Sequence, residues 1–443
     1  MRKMRVRILS LLLIIIVISA SFPVSVSAQE IEKVNAGAAL LVDVDTGKVL
    51  YEQNSKQVKA PASTTKIMTA LLVLEAVDRG ELSLDMKIKA KRKLAEGVKY
   101  DASHVSPRVK WNEILTLEEY LYCILVESDC ACCDIVADQV SGSVDGFVEL
   151  MNTRAKELGC TDTVFVNTHG YPAEGHVSTA WDLYLITAEA MKNEKFREIV
   201  STQYCTIPKT NLVRERKLYN SNWLLGMPPK SELSIKYDRD YKYDYCIGVK
   251  TGYSSEAGSC LVSYAYKDGR TLCCVILGAW GVKLEDGSTK RQSFTETVRL
   301  FEWGFDEFEY RSFTTAGEIV GYEGLRNAEG TVPLVAVSDS TALVRTDSRI
   351  ERKIVVRSDA QAPVSAGDVV GDLYIKENGT TITKIELAAA NDVEAIVRQG
   401  DDALKTNIMI LAVNGAVLLV VMFKVLLGKK AKRKKRRNDD WFI

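Results

Sequence analysis

Apolar and polar residues alternate along AALLVDVDTGKVLYEQN (residues 38–54), and the alternation breaks at Asp45-Thr46-Gly47. A period of two interrupted by turn-forming residues predicts a β-hairpin. Over residues 63–77 the period changes, with Ile67, Ala70, Leu71 and Leu74 at the spacing of one helical face. Thr116 and Glu119 have the spacing of a capping box for a helix running to about Val126. Asp129 has the chemistry to cap another through Val140. Strand-like segments return at 259–266 and 271–277. Helices enclosed between two sets of strands predict an α/β or α+β domain ending near Phe305.

Beyond that point the pattern shortens. TVPLVAV, TALVRTD, RKIVVRS, GDLYIKE and TITKIEL are rich in β-branched residues and separated by Gly, Asp, Asn and Ser. Residues from about 310 to 395 therefore read as a small all-β domain. No internal repeat is evident.

The two ends differ from the middle. Arg2, Lys3, Arg5 and Arg7 precede an apolar run, and Val26-Ser27-Ala28 offers small residues for cleavage before Gln29. Residues 1–28 thus read as a secretion signal, with an uncleaved anchor as the alternative. A second apolar run, residues 408–427, is 20 residues long, enough to cross a bilayer. KKAKRKKRR (residues 429–437) follows it and marks the cytoplasmic side, which places the preceding domains outside the cell. Asn414 and Lys424 interrupt this run, and Lys424 lies where it can snorkel. Lipid headgroups account for the basic tail without any nucleic acid.

Removing the ends changes the charge balance. The whole chain carries 58 basic and 58 acidic residues, but the signal holds 4 basic residues and residues 408–443 hold 9 basic and 2 acidic. The portion 29–407 keeps 45 basic against 56 acidic, a net charge of −11. The domain boundaries that follow are signal 1–28, catalytic domain 29–305, β-domain 306–397, linker 398–407, membrane helix 408–427 and basic tail 428–443.

Ser63-Thr64-Thr65-Lys66 opens the predicted helix. Residues three apart share a helical face, so the Lys66 amine can reach the Ser63 hydroxyl. A neutral lysine there would take the serine proton and make a nucleophile, and the helix N-terminus would favour developing negative charge. Lys250-Thr251-Gly252 comes late, before a predicted edge strand, and supplies a cation, a hydroxyl and room for a substrate backbone. A second cation near Lys66 would lower the latter's affinity for its proton. Each motif alone is weak. S-x-x-K, a Ser-Asp pair at Ser128-Asp129 and K-T-G in that order match the serine β-lactamase and penicillin-binding set.

AALLVDVDTGKVLYEQNSKQVKAPASTTKIMTALLVLE resembles the opening of the D-alanyl-D-alanine carboxypeptidases of the low-molecular-mass penicillin-binding class, and GVKTGYSSEAGSCLVSYAYKDGRTL resembles a later block. VSGSVDGFVELMNTRAKELGCTDTVFVNTHGYP and APVSAGDVVGDLYIKENG are similar to further parts of that family, the second to its C-terminal β-domain. The resemblance implies a serine β-lactamase/transpeptidase-like domain acting on peptidoglycan stem peptides ending in D-Ala-D-Ala, with β-lactam antibiotics as covalent inhibitors. It implies Ser63 as nucleophile, Lys66 as base and Ser128 as proton relay. Lys250 and Thr251 would hold the terminal carboxylate, and the backbone N–H groups of Ser63 and Tyr253 would form the oxyanion hole. It calls for no metal or other cofactor.

Three departures from the family pattern stand out. The middle motif is Ser-x-Asn in the family but Ser128-Asp129-Cys130 here, and a thiol donates and accepts only weakly. The segment DASHVSPRVKWNEI (residues 101–114) lacks the family's Gly-rich character, and a usual basic position falls on Ser293, with Arg291 two places earlier.

All ten cysteines lie between Cys123 and Cys274. Packing thiols, disulfides and a metal site are the three readings. Adjacent pairs at Cys132-Cys133 and Cys273-Cys274 and the presence of only three histidines favour packing. His169-Gly170 and Asn222 read as scaffold. The main functional reading is a membrane-anchored carboxypeptidase. The alternatives are a catalytically impaired homologue binding wall peptides or division and sporulation partners, and a serine β-lactamase.

Overall fold

The computed structural model describes residues 31–229, 240–396 and 399–438, and the signal segment expected at 1–28 lies outside these. The chain divides into two compact units, one reaching Tyr310 and including Leu343–Asp347, the other containing Arg311–Ala342 and residues from Ser348 onward.

The first unit is built on a five-stranded sheet. Its strands are β1 (Ala38–Asp43), β2 (Val49–Gln53), β3 (Cys246–Ser254), β4 (Gly258–Lys267) and β5 (Arg270–Ala279), in the order β2-β1-β5-β4-β3. Every pairing is antiparallel, so the fold is α+β, with β1 and β2 forming the expected hairpin. Alternation decides which side chains meet. Leu40 and Val42 of β1 enter one core with Val262, Val275 and Met68, while Ala39 and Leu41 enter another with Leu261 and Ile276. Because both faces are buried, the central strands read as nearly continuous apolar runs.

Helices cover both faces. α1 (Lys66–Asp78), α2 (Leu117–Leu125), α3 (Cys130–Ser141), α4 (Val144–Glu157), α5 (Ala180–Ala190) and α6 (Glu194–Ser201) contribute to the first core. α7 (Gln292–Glu307) closes the second through Phe294, Leu300 and Phe301. Each buried Leu or Phe contributes ~1.5–3 kcal/mol. The caps expected at the starts of α2 and α3 are present. Thr116 and Glu119 exchange side-chain-to-backbone bonds, and Asp129 Oδ1 accepts from Cys132 N at 2.8 Å.

The second unit holds a five-stranded antiparallel sheet. Its strands are β6 (Ile319–Glu323), β7 (Val332–Ala336), β8 (Ile350–Val356), β9 (Val369–Glu377) and β10 (Thr380–Ala389), in the order β6-β7-β10-β9-β8. Leu334, Leu373, Ile375 and Leu387 are buried at its centre. The TALVRTD segment forms a strand, Ser340–Arg345, that pairs with Phe308–Thr314 instead of joining this sheet. A final helix, α8 (Gln399–Asn438), contains Lys405–Leu427, a stretch long and apolar enough to cross a membrane.

Candidate active site

Ser63 sits in a single 3-10 turn, Ala62–Thr65, that leads directly into α1. Ala62 is forced to a φ of +48°, a left-handed value that costs a non-glycine residue energy. Local hydroxyls hold the turn: Thr64 Oγ1 donates to Pro61 O at 2.7 Å and Thr65 Oγ1 to Ala62 O at 2.8 Å. Gly170 braces it from outside. At φ +80° its Cα lies so close that a Cβ would come within 1.8 Å of Ala62 O, so no larger residue fits.

Lys66 is fully buried. Its Nζ donates to Ser63 Oγ at 2.9 Å, to His169 O at 2.7 Å and to Cys130 Sγ at 3.4 Å. The His169 backbone therefore orients the amine, while its imidazole stays neutral. Burial, aided by the Lys66 charge, pushes that ring down to about 3. His176 is likewise held down at about 4, mainly by burial. Its Nδ1 accepts from Val166 N at 3.0 Å, which leaves Nε2 protonated against Thr65 Oγ1 at 2.8 Å. His169 is scaffold, as expected, and His176 joins it. Asp134 secures the same segment by accepting from Thr168 Oγ1 at 2.6 Å.

The middle motif connects α2 and α3. Ser128 has φ +72° and is buried, and its Oγ has no hydrogen-bond partner among the described residues. Asp129 acts as a clamp. Besides capping α3, its Oδ2 accepts from Val105 N at 2.8 Å, while Cys130 N donates to Ser103 O at 3.0 Å. The atypical 101–114 segment is thereby fastened to the motif. A buried ion pair anchors its far end: Arg216 and Glu113, both with fully buried side chains, meet at 2.7 Å, and Arg216 Nε reaches Pro107 O at 2.7 Å. Before Ser128, burial together with the Asp129 charge raises the Glu127 carboxyl to about 7.

The Lys-Thr-Gly triplet lies within the edge strand β3 rather than ahead of it. An edge strand leaves backbone groups on one side unpaired, which a peptide ligand can use. Gly252 permits close approach, since a Cβ there would stand 2.9 Å from Ser63 N. Tyr253 follows with its side chain largely exposed. Complete burial lowers the Lys250 ammonium to about 7, and the Lys66 charge adds to that effect. Lys250 Nζ reaches Ser221 Oγ at 3.4 Å, and Thr251 Oγ1 donates to the same oxygen at 2.6 Å.

Ser221 was missed from sequence because nothing but a neighbouring pair of asparagines marks it. Ser293 is buried, and Arg291 lays its guanidinium over Trp223 at 4.7 Å. All ten cysteines are free thiols, nine of them buried. Among the described residues no three His, Cys, Asp or Glu side chains converge to hold a metal.

Residues 24–281 match the family model described as D-alanyl-D-alanine carboxypeptidase, and residues 308–395 match penicillin-binding protein 5, C-terminal domain. The chain is 29% identical over 363 residues to the D-alanyl-D-alanine carboxypeptidase DacF of Bacillus subtilis, covering 81% of this chain and 86% of that one. Penicillin-binding protein 5 of Haemophilus influenzae is 25% identical with a TM-score of 0.59, over 83% of this chain and 99% of the other. The cefotaxime-bound penicillin-binding protein D2 of Listeria monocytogenes is 29% identical with a TM-score of 0.51, over 63% of this chain and 100% of the other.

Proposed function

The chain belongs to the D-alanyl-D-alanine carboxypeptidase family and is a serine peptidase of that class; from this premise we propose that it removes the terminal D-Ala of peptidoglycan stem pentapeptides through an acyl-enzyme on Ser63. The observation that carries the mechanism is the 2.9 Å bond between Lys66 Nζ and Ser63 Oγ at the mouth of the strand bearing Lys250.

Neutral Lys66 takes the Ser63 proton as the oxygen attacks the penultimate carbonyl. Backbone N–H groups of Ser63 and Tyr253 receive the oxyanion. Ser128, whose hydroxyl has no competing partner among the described residues, passes a proton to the leaving amine. Lys250 and Thr251 face the terminal carboxylate, and Gly252 lets the substrate backbone approach. Water then releases the product and regenerates Ser63. β-Lactams acylate the same serine.

The impaired-homologue reading is not favoured, since Cys130 keeps a contact to Lys66 where the family has Asn. We assign residues 1–28 to a signal, 29–305 to the catalytic domain, 306–397 to the β-domain, 398–407 to a linker, 408–427 to a single membrane span and 428–443 to a cytoplasmic tail. The catalytic domain would then lie outside the membrane.

Intact-mass measurement after incubation with a penicillin tests the assignment. One adduct lost in Ser63→Ala, with D-Ala released from a pentapeptide, is the expected result. No adduct and no release on the wild-type chain refutes it.

A further inference from the structure

Ser221 lies in a turn whose backbone is tied on every side. Asn220 N donates to Gln203 O at 2.8 Å, Asn222 N to Asn220 Oδ1 at 2.8 Å, and Ser221 N to Val126 O at 3.0 Å. The flanking Asn220 and Asn222 are buried, whereas Ser221 is only half-buried. Two buried amides thus present one small hydroxyl toward β3, and the Val126 bond joins that turn to the loop carrying Ser128.

A serine hydroxyl has two acceptor lone pairs and one proton. Thr251 Oγ1 and Lys250 Nζ both donate to Ser221 Oγ, so its lone pairs are engaged. The Thr251 proton is thereby directed at Ser221 and away from any ligand. The Ser221 proton has no acceptor among the described protein groups. Two donors acting on an oxygen also polarise its O–H bond and strengthen it as a donor.

We propose that Ser221 donates the hydrogen bond that recognises the terminal carboxylate of the substrate, with Thr251 acting through it and Lys250 acting through it as well as beside it. The inference rests on the carboxypeptidase reading and names a carboxylate-selecting residue that the S-x-x-K, Ser-x-Asn and K-T-G motifs do not contain. It also fits the placement of Arg291 over Trp223 and the burial of Ser293, the position where the family pattern has a basic residue.

The test uses the full-length chain in detergent with two substrates, an acylated L-Lys-D-Ala-D-Ala tripeptide and its C-terminal amide. The wild-type ratio of kcat/KM for acid over amide should exceed about tenfold, as for a charge-assisted hydrogen bond. Ser221→Ala should lower that ratio about tenfold or more, and Ser221→Thr should preserve it. Ser221→Val differs from the threonine variant only in the hydroxyl, so this pair decides the matter if alanine disturbs folding. An unchanged ratio in the alanine or valine variant overturns the inference while leaving the carboxypeptidase reading intact, as does a wild-type chain that does not discriminate. A wild-type chain that neither releases D-Ala nor forms a penicillin adduct overturns both.

Discussion

Lys66 Nζ and Cys130 Sγ stand 3.4 Å apart, so a weak sulfur acceptor faces the lysine amine at the position where the family pattern has asparagine. An amide oxygen would accept more strongly and an amide nitrogen would add a donor facing the cleft. Cys130→Asn should therefore raise kcat/KM by about 5-fold or more, and Cys130→Ala should lower it, as read in D-Ala release. Equal rates in all three would show that the contact does not reach the transition state.

Lys250 gives a pH dependence with a defined sign. Its ammonium is held at about 7 by burial. Below that pH it is charged and favours a bound carboxylate, and above it the charge is progressively lost. For a substrate with a free terminal carboxylate, kcat/KM should fall as pH rises through 7, approaching tenfold per unit. The amide substrate should lack this limb. Lys250→Arg, whose guanidinium stays charged, should abolish it where the variant folds.

Gly170 tests the brace behind the nucleophile. A methyl group there would lie 1.8 Å from Ala62 O at a backbone φ of +80°. Gly170→Ala should destabilise the first unit by about 1–3 kcal/mol and displace the Ser63 turn. Thermal melting and the rate of penicillin adduct formation measure the two effects. An unchanged adduct rate would mean that the turn does not depend on this contact.

The buried Glu113–Arg216 pair supports the 101–114 segment. Removing one partner strands a charge, at a cost of about 3–5 kcal/mol. Arg216→Met should therefore lower the melting point and speed amide exchange around Val105, whereas the double change Glu113→Gln with Arg216→Met should recover part of the loss. Failure of the double variant to recover would place the stabilisation in the Arg216–Pro107 bond instead.

The parts read correctly from sequence are those set by near neighbours. Ser63 and Lys66 are one helical turn apart, Thr116 and Glu119 form their cap locally, and Asp129 caps the helix it precedes. Asp45-Thr46-Gly47 turns a hairpin whose strands adjoin in sequence. What escaped depends on distant segments. Ser221 becomes relevant only because β3 returns beside it, 30 residues later at Thr251. The role of 101–114 rests on Arg216, more than a hundred residues away. Composition left α/β and α+β open because strands buried on both faces look alike in parallel and antiparallel sheets.

An ammonium group has three protons, and Lys66 finds three acceptors for them: a hydroxyl, a carbonyl and a thiol. Once the amine is neutral, one of these contacts must meet a lone pair. The His169 carbonyl cannot supply a hydrogen in return, and the thiol supplies one poorly, so the vacated direction points to Ser63. This asymmetry gives the opening proton transfer a preferred route before any substrate arrives.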